Sequence, residues 1–200
     1  MATPPSSSLT LSLDPEADAL LSRDPLALLI GMVLDQQVPL EKAFRGPYDL
    51  QQRLGRPVDA ATVAEMDSDE LVTLFVRPPA LHRYPAAMAG RVHELCRIVV
   101  AEHDGDAERI WTGASDGADL LARIKALPGF GEQKARIFVA LLGKQLGVDV
   151  PGWREAAGPY GEEGSRRSVA DITDRQSLAE VRSYKQQLKA AAKAAKPPKP

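Results

Sequence analysis

The 200-residue sequence predicts an all-α protein, because helix signals recur along the chain and strand signals are nearly absent. Asp14-Pro15 and Asp24-Pro25 each place a capping acid before a proline suited to the first helical position. The run from Pro25 to Leu34 is apolar on nearly every side, which predicts a buried central helix. Pro85 to Glu102 carries apolar residues at helical spacing and predicts a long amphipathic helix.

Caps, prolines and glycines place the other helices. Pro39–Phe44 and Pro47–Leu54 predict two short helices, ended near Gly46 and by Gly55. Asp59 and Asp67 are expected to cap two more, Asp116 to begin one through Leu127, Gly131 to begin one to about Leu146, and Thr173 or Asp174 to cap the last. The segment from 148 to 168 is rich in Gly and Pro and poorly periodic.

Composition excludes several classes of protein. The one cysteine, Cys96, rules out an intrachain disulfide and an iron–sulfur cluster held by four cysteines. His82, His93 and His103 form no zinc pattern. No apolar run reaches the roughly 18 residues of a membrane span, and the Ser/Pro-rich N-terminus has no signal-peptide pattern. We therefore expect a cytoplasmic protein without a membrane partner.

Charge is unevenly distributed along the chain. Residues 121–200 carry 15 Lys or Arg and 8 Asp or Glu, whereas residues 1–120 carry 10 and 19. A basic C-terminal part can attract phosphate, although an unevenly charged solvated surface explains the same counts.

The most informative segment is Leu120–Leu146, where two helical patterns flank Leu127-Pro128-Gly129-Phe130-Gly131. Glycines without a Cβ allow positive φ angles and a close approach of the backbone to another molecule. The helix after Gly131 begins with unpaired N–H groups, which form a phosphate site. Lys134 in its first turn adds a charged contact or is simply solvated. An αα-hairpin that merely needs a glycine turn is the plain alternative.

This segment resembles the DNA-binding hairpin of the helix-hairpin-helix (HhH-GPD) base-excision DNA glycosylases, whose pattern is L-P-G-apolar-G. The resemblance implies DNA-backbone contacts at Leu127, Gly129, Phe130, Gly131 and Lys134. A second stretch, Leu29–Pro39, is similar to the family segment whose side chain fills the gap left by an extruded base. Gln37 aligns with that wedge position and Gln36 lies beside it, unless the two merely cap a buried helix. Arg77–Arg91 is a weaker third match, and together the pieces cover about residues 24–150.

The family fold implies two all-α lobes with the substrate cleft between them. By that analogy, residues 24–147 form the lobe that carries the hairpin at 127–131. Residues 9–23 and 148–190 form the second lobe, with flexible tails at 1–8 and 191–200. The implied partner is double-stranded DNA with a damaged base, bound by a monomer without a cofactor. Hairpins of this family can bind a monovalent metal ion through backbone carbonyls, which leaves no trace in the sequence.

The sequence departs from the family in its chemistry. Bifunctional members carry a lysine nucleophile where this chain has Gln133, and Lys134 is about 100° away on the helix. Lyase activity is therefore disfavoured, and a monofunctional enzyme needs a carboxylate to assist the attack of water. Asp149 fits if the loop is two residues shorter than in the family, and it is otherwise a solvated acid or a cap. Asp171 and Glu155 are the alternatives.

Trp153 and Tyr160 can stack on an extruded base, with lobe packing as the alternative, and Trp111 is expected in the core. Lys185, Lys189, Lys193 and Lys196 share one helical face and either add nonspecific DNA affinity or solubilise the tail. We therefore expect a DNA glycosylase that hydrolyses the bond between a damaged base and its sugar. The rivals are a non-catalytic DNA-binding or lesion-recognition protein and an interaction protein that uses the hairpin as a fold element.

Overall fold

Helices account for all the regular structure in the computed structural model, which describes residues 8–194, and side chains through residue 191. The α-helices are α1 (Pro15–Arg23), α2 (Pro25–Leu34), α3 (Leu40–Leu54), α4 (Ala60–Glu65), α5 (Ser68–Val76), α6 (Pro85–His103), α7 (Arg109–Thr112), α8 (Gly117–Lys125), α9 (Glu132–Gln145), α10 (Trp153–Ala157) and α11 (Arg175–Ala194). Two 3₁₀ helices span Gly158–Tyr160 and Val169–Asp171. The all-α prediction is confirmed for these residues. Of the expected tails at 1–8 and 191–200, residues 191–194 belong to α11, and residues 1–7 and 195–200 lie outside the described part of the chain.

Aspartate caps begin the helices where the sequence predicts them. The Asp14 carboxylate accepts the backbone N–H groups of Glu16 and Ala17, and Asp24 accepts that of Ala27. The same arrangement begins α4, α5 and α8, at Asp59, Asp67 and Asp116. These local bonds satisfy N–H groups that a helix leaves unpaired, so short-range sequence suffices to predict them.

Helix α2 is central, and every residue from Leu26 to Leu34 is buried, as predicted. It packs against α1, α3 and α6. The predicted break at Gly46 and Pro47 is wrong, because α3 runs through both residues. A Cβ at Gly46 would lie 2.4 Å from Leu34 Cδ1, so the glycine permits close packing of α3 on α2. This tertiary contact overrides the local helix-breaking signal.

The second half of the chain is arranged around α9, which packs against α8, α10 and both 3₁₀ helices. Helix α1 contacts α2 and α3, and α10 contacts α8 and α9. Helix α11 packs on the Val169–Asp171 helix, and its Arg182 pairs with Glu41 of α3. The first turn of α9 lies near the end of α2, and the candidate site lies between them.

Candidate functional site

The hairpin between α8 and α9 contains two glycines with different conformations. Gly129 has a φ of +82°, in the left-handed region that favours glycine. Gly131 is extended, with φ −79° and ψ 174°, so the expected freedom at positive φ is used at Gly129 alone. A Cβ built on Gly131 meets no atom within 4 Å. Another molecule can therefore approach this backbone closely.

Leu127 and Phe130 anchor the hairpin to the core. Their side chains are buried, and the rings of Phe130 and Phe138 lie 5.8 Å apart between centroids. Contact with another molecule from these two positions is therefore left to backbone atoms. Helix α9 begins at Glu132 without a side-chain cap, which leaves backbone N–H groups of its first turn to an anion.

The turn after α2, residues 35–37, lies beside the hairpin. Gln37 is exposed and has a φ of +55°. Gln36 is bound internally, since its Oε1 accepts Arg91 Nη1 at 2.7 Å and its amide donates to a carbonyl at the end of α2. The Arg91 side chain in turn lies 3.6 Å from the position of a Cβ on Gly129. Of the two glutamines predicted at the wedge position, Gln37 is therefore the exposed one, and Gln36 joins the turn to the hairpin through Arg91.

His82 fixes the same turn from the loop before α6. Its ring is buried, with Nε2 2.8 Å from Gln36 O and Nδ1 accepting the backbone N–H of Tyr84. An imidazole that accepts at Nδ1 donates at Nε2, so one neutral tautomer serves both bonds. Burial lowers the pKa of His82, which favours that neutral form. The backbone next to Gln37 is therefore held by a buried hydrogen bond.

Lys134 is placed differently from the expected phosphate contact. Its Nζ donates to Met32 O at 2.7 Å and lies 3.5 Å from Val33 O, both near the end of α2. A cation there complements the negative end of the α2 dipole. Burial lowers the pKa of Lys134, and the carboxylate of Asp35 acts in the opposite direction. Lys134 therefore joins the first turn of α9 to α2, and its ammonium is already engaged within the protein.

A cleft of about 300 Å³ lies between the end of α2, the first turn of α9 and α11. Its polar lining includes Asp35, Gln133, Lys134, Tyr160, Tyr184 and Lys185. Gln133 Nε2 donates to the hydroxyl of Tyr160 at 2.9 Å, so Tyr160 reaches the position of the family's lysine nucleophile. The cleft thus combines two aromatic rings, an amide and groups of both charges beside the hairpin and the wedge turn.

Asp35 is the carboxylate of this cleft, and its role is not evident from the sequence. The side chain is mostly buried, and its burial raises the pKa of Asp35, while the charges of Lys185 and Lys134 lower it. The sequence does hold one signal: Asp35 follows nine apolar or glycine residues at the C-terminal end of a helix, where a negative charge is unfavourable. Its nearness to Lys134 depends on tertiary packing and has no sequence signal.

The three predicted carboxylates lie elsewhere. Asp149 lies in the loop after the C-terminal end of α9, whereas Gln133 lies in the first turn of that helix, which is about 20 Å long. Asp171 is buried and serves the fold, because it binds Lys144 Nζ at 2.6 Å and accepts the backbone N–H groups of Arg167 and Ser168. Glu155 is exposed on α10 and is not among the residues that line the cleft.

The two aromatic residues predicted for a base pocket are separated. Trp153 is buried against α9, where a Cβ at Gly143 would lie 2.5 Å from its ring, and Arg154 stacks on it at 4.4 Å. Packing is therefore the role that its position supports. Tyr160 alone of the pair lines the cleft. Trp111 is in the core, as expected, with an edge-on contact to Phe138.

Comparisons with family models, with curated proteins and with solved structures find no match to this chain. Among residues 8–194, no helix is long and apolar enough to cross a membrane. The described side chains bring no three His, Cys, Asp or Glu together to hold a metal ion. A monovalent ion at the hairpin would be held by its backbone carbonyls, of which Leu127 O accepts the N–H of Phe130.

Proposed function

We propose that this protein is a monofunctional DNA glycosylase that extrudes a damaged base and hydrolyses its bond to the sugar. One observation carries the proposal: the exposed Gln37 turn and the open glycine hairpin are joined through Arg91 and flank one cleft. A DNA enzyme that acts on an extruded base needs a phosphate anchor, a side chain to fill the duplex and a pocket for the base. The open hairpin, the exposed Gln37 and the cleft suit these three tasks in that order, and this supports the proposal.

The start of α9, Gln37 and the cleft each have one task in the proposed reaction. Backbone N–H groups at the start of α9 hold a phosphate, which positions the duplex without reading its sequence. Gln37 enters the stack as the nucleotide leaves it, which offsets part of the unstacking cost of a few kcal/mol. The extruded base enters the cleft, where Tyr160 and Tyr184 offer aromatic surfaces and Gln133 an amide. Gln133 has no amine and the Lys134 ammonium is engaged by Met32 O, so the proposal takes water as the group that attacks the sugar.

A non-catalytic lesion-recognition protein is the second candidate. The position of Asp149, beyond the far end of α9, favours it, because the carboxylate expected from the family resemblance is outside the cleft. Such a protein would use the hairpin and the wedge turn to hold an extruded base without breaking a bond. The two candidates agree on DNA binding and differ on product formation.

A gel assay on a panel of duplexes, each with one damaged base, separates the candidates. Half of each reaction receives alkali, which breaks the strand at an abasic site. The proposal predicts cleavage after alkali only and no protein–DNA adduct on borohydride reduction. A trapped adduct would restore lyase chemistry, with Lys134→Arg as the variant to examine. Binding without any cleavage establishes the recognition protein, and no DNA binding contradicts both.

A further inference from the structure

Asp35 is the only acidic residue among the described residues that line the cleft. Its position is costly in two ways, because it is mostly buried and lies at the negative end of α2. Burial raises the pKa of the Asp35 carboxyl, and the charges of Lys185 and Lys134 lower it. Among the described residues, no hydrogen-bond donor contributes to the pKa of this carboxyl. A partly buried carboxylate that lacks such support and opens into a cleft is typical of a functional group.

We propose that Asp35 is the catalytic carboxylate of this cleft, which rests on the glycosylase function proposed above. Its oxygen accepts a proton from water as that water bonds to C1′ of the extruded nucleotide. The bond between C1′ and the base nitrogen breaks, and its electron pair leaves with the base. The base nitrogen then takes up a proton from solvent and protonated Asp35 returns its proton to solvent, so the products are the free base and an abasic sugar with a C1′ hydroxyl. Ionised Asp35 also stabilises the positive charge that develops on the sugar.

The charges around Asp35 suit this role. Lys134 from α9 and Lys185 from α11 favour its ionised form against the effect of burial. Arg167 and the hydroxyls of Tyr160 and Tyr184 complete the titratable groups that line the cleft. Lys134 is fixed by Met32 O, so it supplies a constant positive charge beside the carboxylate. In its ionised form, a carboxylate with a raised pKa is a stronger base than a solvated aspartate.

Asp35→Asn tests the assignment in single-turnover cleavage of the best duplex from the damaged-base panel. The variant keeps the shape of the side chain and removes the base, so we expect the rate to fall by roughly 100-fold or more. DNA affinity is expected to stay equal or to increase, because a negative charge has left a site that faces phosphate. Glu94→Gln, on the exposed side of α6, removes one acid elsewhere and is expected to retain the wild-type rate.

Stability provides the folding control for Asp35→Asn. Since burial raises the pKa of Asp35, the ionised carboxylate opposes folding at neutral pH. The variant should therefore unfold at the same or a higher urea concentration than wild type at pH 7. That advantage should vanish as the pH falls below the ordinary aspartate pKa, where Asp35 is protonated in both folded and unfolded chains.

The pH profile separates a catalytic from a structural role. The wild-type rate should rise with pH around a midpoint above the ordinary aspartate value, and Lys185→Met should move that midpoint upward. Unchanged cleavage by Asp35→Asn would overturn the assignment and leave the glycosylase proposal intact. Loss of cleavage in Asp149→Asn alone would move the carboxylate to that residue. Wild-type protein that cleaves no duplex would overturn both proposals.

Discussion

Gln37 stands in the turn after α2 with a φ of +55°, which residues other than glycine seldom adopt. Its neighbour is fixed by His82 and Arg91, so the surrounding structure holds this backbone in place. Left-handed geometry costs an L-residue about 1–2 kcal/mol, and such strain is often retained at functional positions. A glutamine where glycine would be less strained is therefore consistent with a role for its side chain.

Gln37→Gly removes that side chain and relieves the strain together. We expect the melting temperature to stay equal or to rise, while base extrusion weakens because nothing fills the vacated stack. Fluorescence of 2-aminopurine next to the lesion measures extrusion, and Gln52→Ala on the exposed side of α3 is the matched control. Wild-type extrusion in Gln37→Gly would show that the turn is not the wedge.

The roles of some single residues could be predicted from the sequence, and those of others could not. Caps such as Asp14 and Asp24 were predictable because their partners lie two or three residues away. The surroundings of Asp35 were not predictable, because its lysine neighbours lie 99 and 150 positions further along the chain. The place of Lys134 in the first turn of α9 predicts either a phosphate contact or a solvated side chain. The carbonyl that accepts its ammonium instead belongs to another helix, α2.

The helix-forming segments could be predicted from the sequence, whereas the positions where a helix ends depend on packing. The hairpin residues 127–131 connect α8 and α9 as predicted, since glycine and proline set local backbone geometry. The same two residue types at Gly46 and Pro47 also predict a break, but α3 continues through both. There the glycine fits the side chain of Leu34, and this contact is invisible until α2 and α3 are docked.

The start of α9 offers a test in which stability and function respond in opposite directions. Gly131→Asp puts a preferred capping residue at an extended N-cap without a side-chain bond. The helix should gain about 0.5 kcal/mol from the cap and the dipole. DNA affinity should fall about tenfold or more, because the carboxylate occupies the N–H groups and repels phosphate.

Ser68→Asp is the matched control for Gly131→Asp, because it adds the same charge in the first turn of α5. Urea unfolding and fluorescence anisotropy with a labelled duplex give the two readouts. Equal DNA affinity in Gly131→Asp and Ser68→Asp would mean that the hairpin is only a fold element.

At the scale of the whole molecule, charge is segregated along the chain, with the excess of Lys and Arg in residues 121–200. The structure brings part of that excess to the cleft through Lys134, Arg167 and Lys185. Lys189 continues the same face of α11, Lys193 is helical without a described side chain, and Lys196 lies outside the described residues. The described part of the predicted lysine stripe therefore begins at the cleft with Lys185 and continues along α11 to Lys189.

A chain truncated after Leu188 tests whether this stripe contributes to binding. It keeps Lys185 at the cleft and removes Lys189, Lys193 and Lys196 of the stripe together with Lys199. Removing a lysine that neutralises one phosphate should reduce the slope of log affinity against log salt by about 0.9, so affinity at low salt should fall most. Anisotropy titrations at several salt concentrations measure this slope, and cleavage at saturating protein should be unchanged because the cleft is intact. An unchanged slope would assign the lysines to solubility and leave DNA affinity to the hairpin and the cleft.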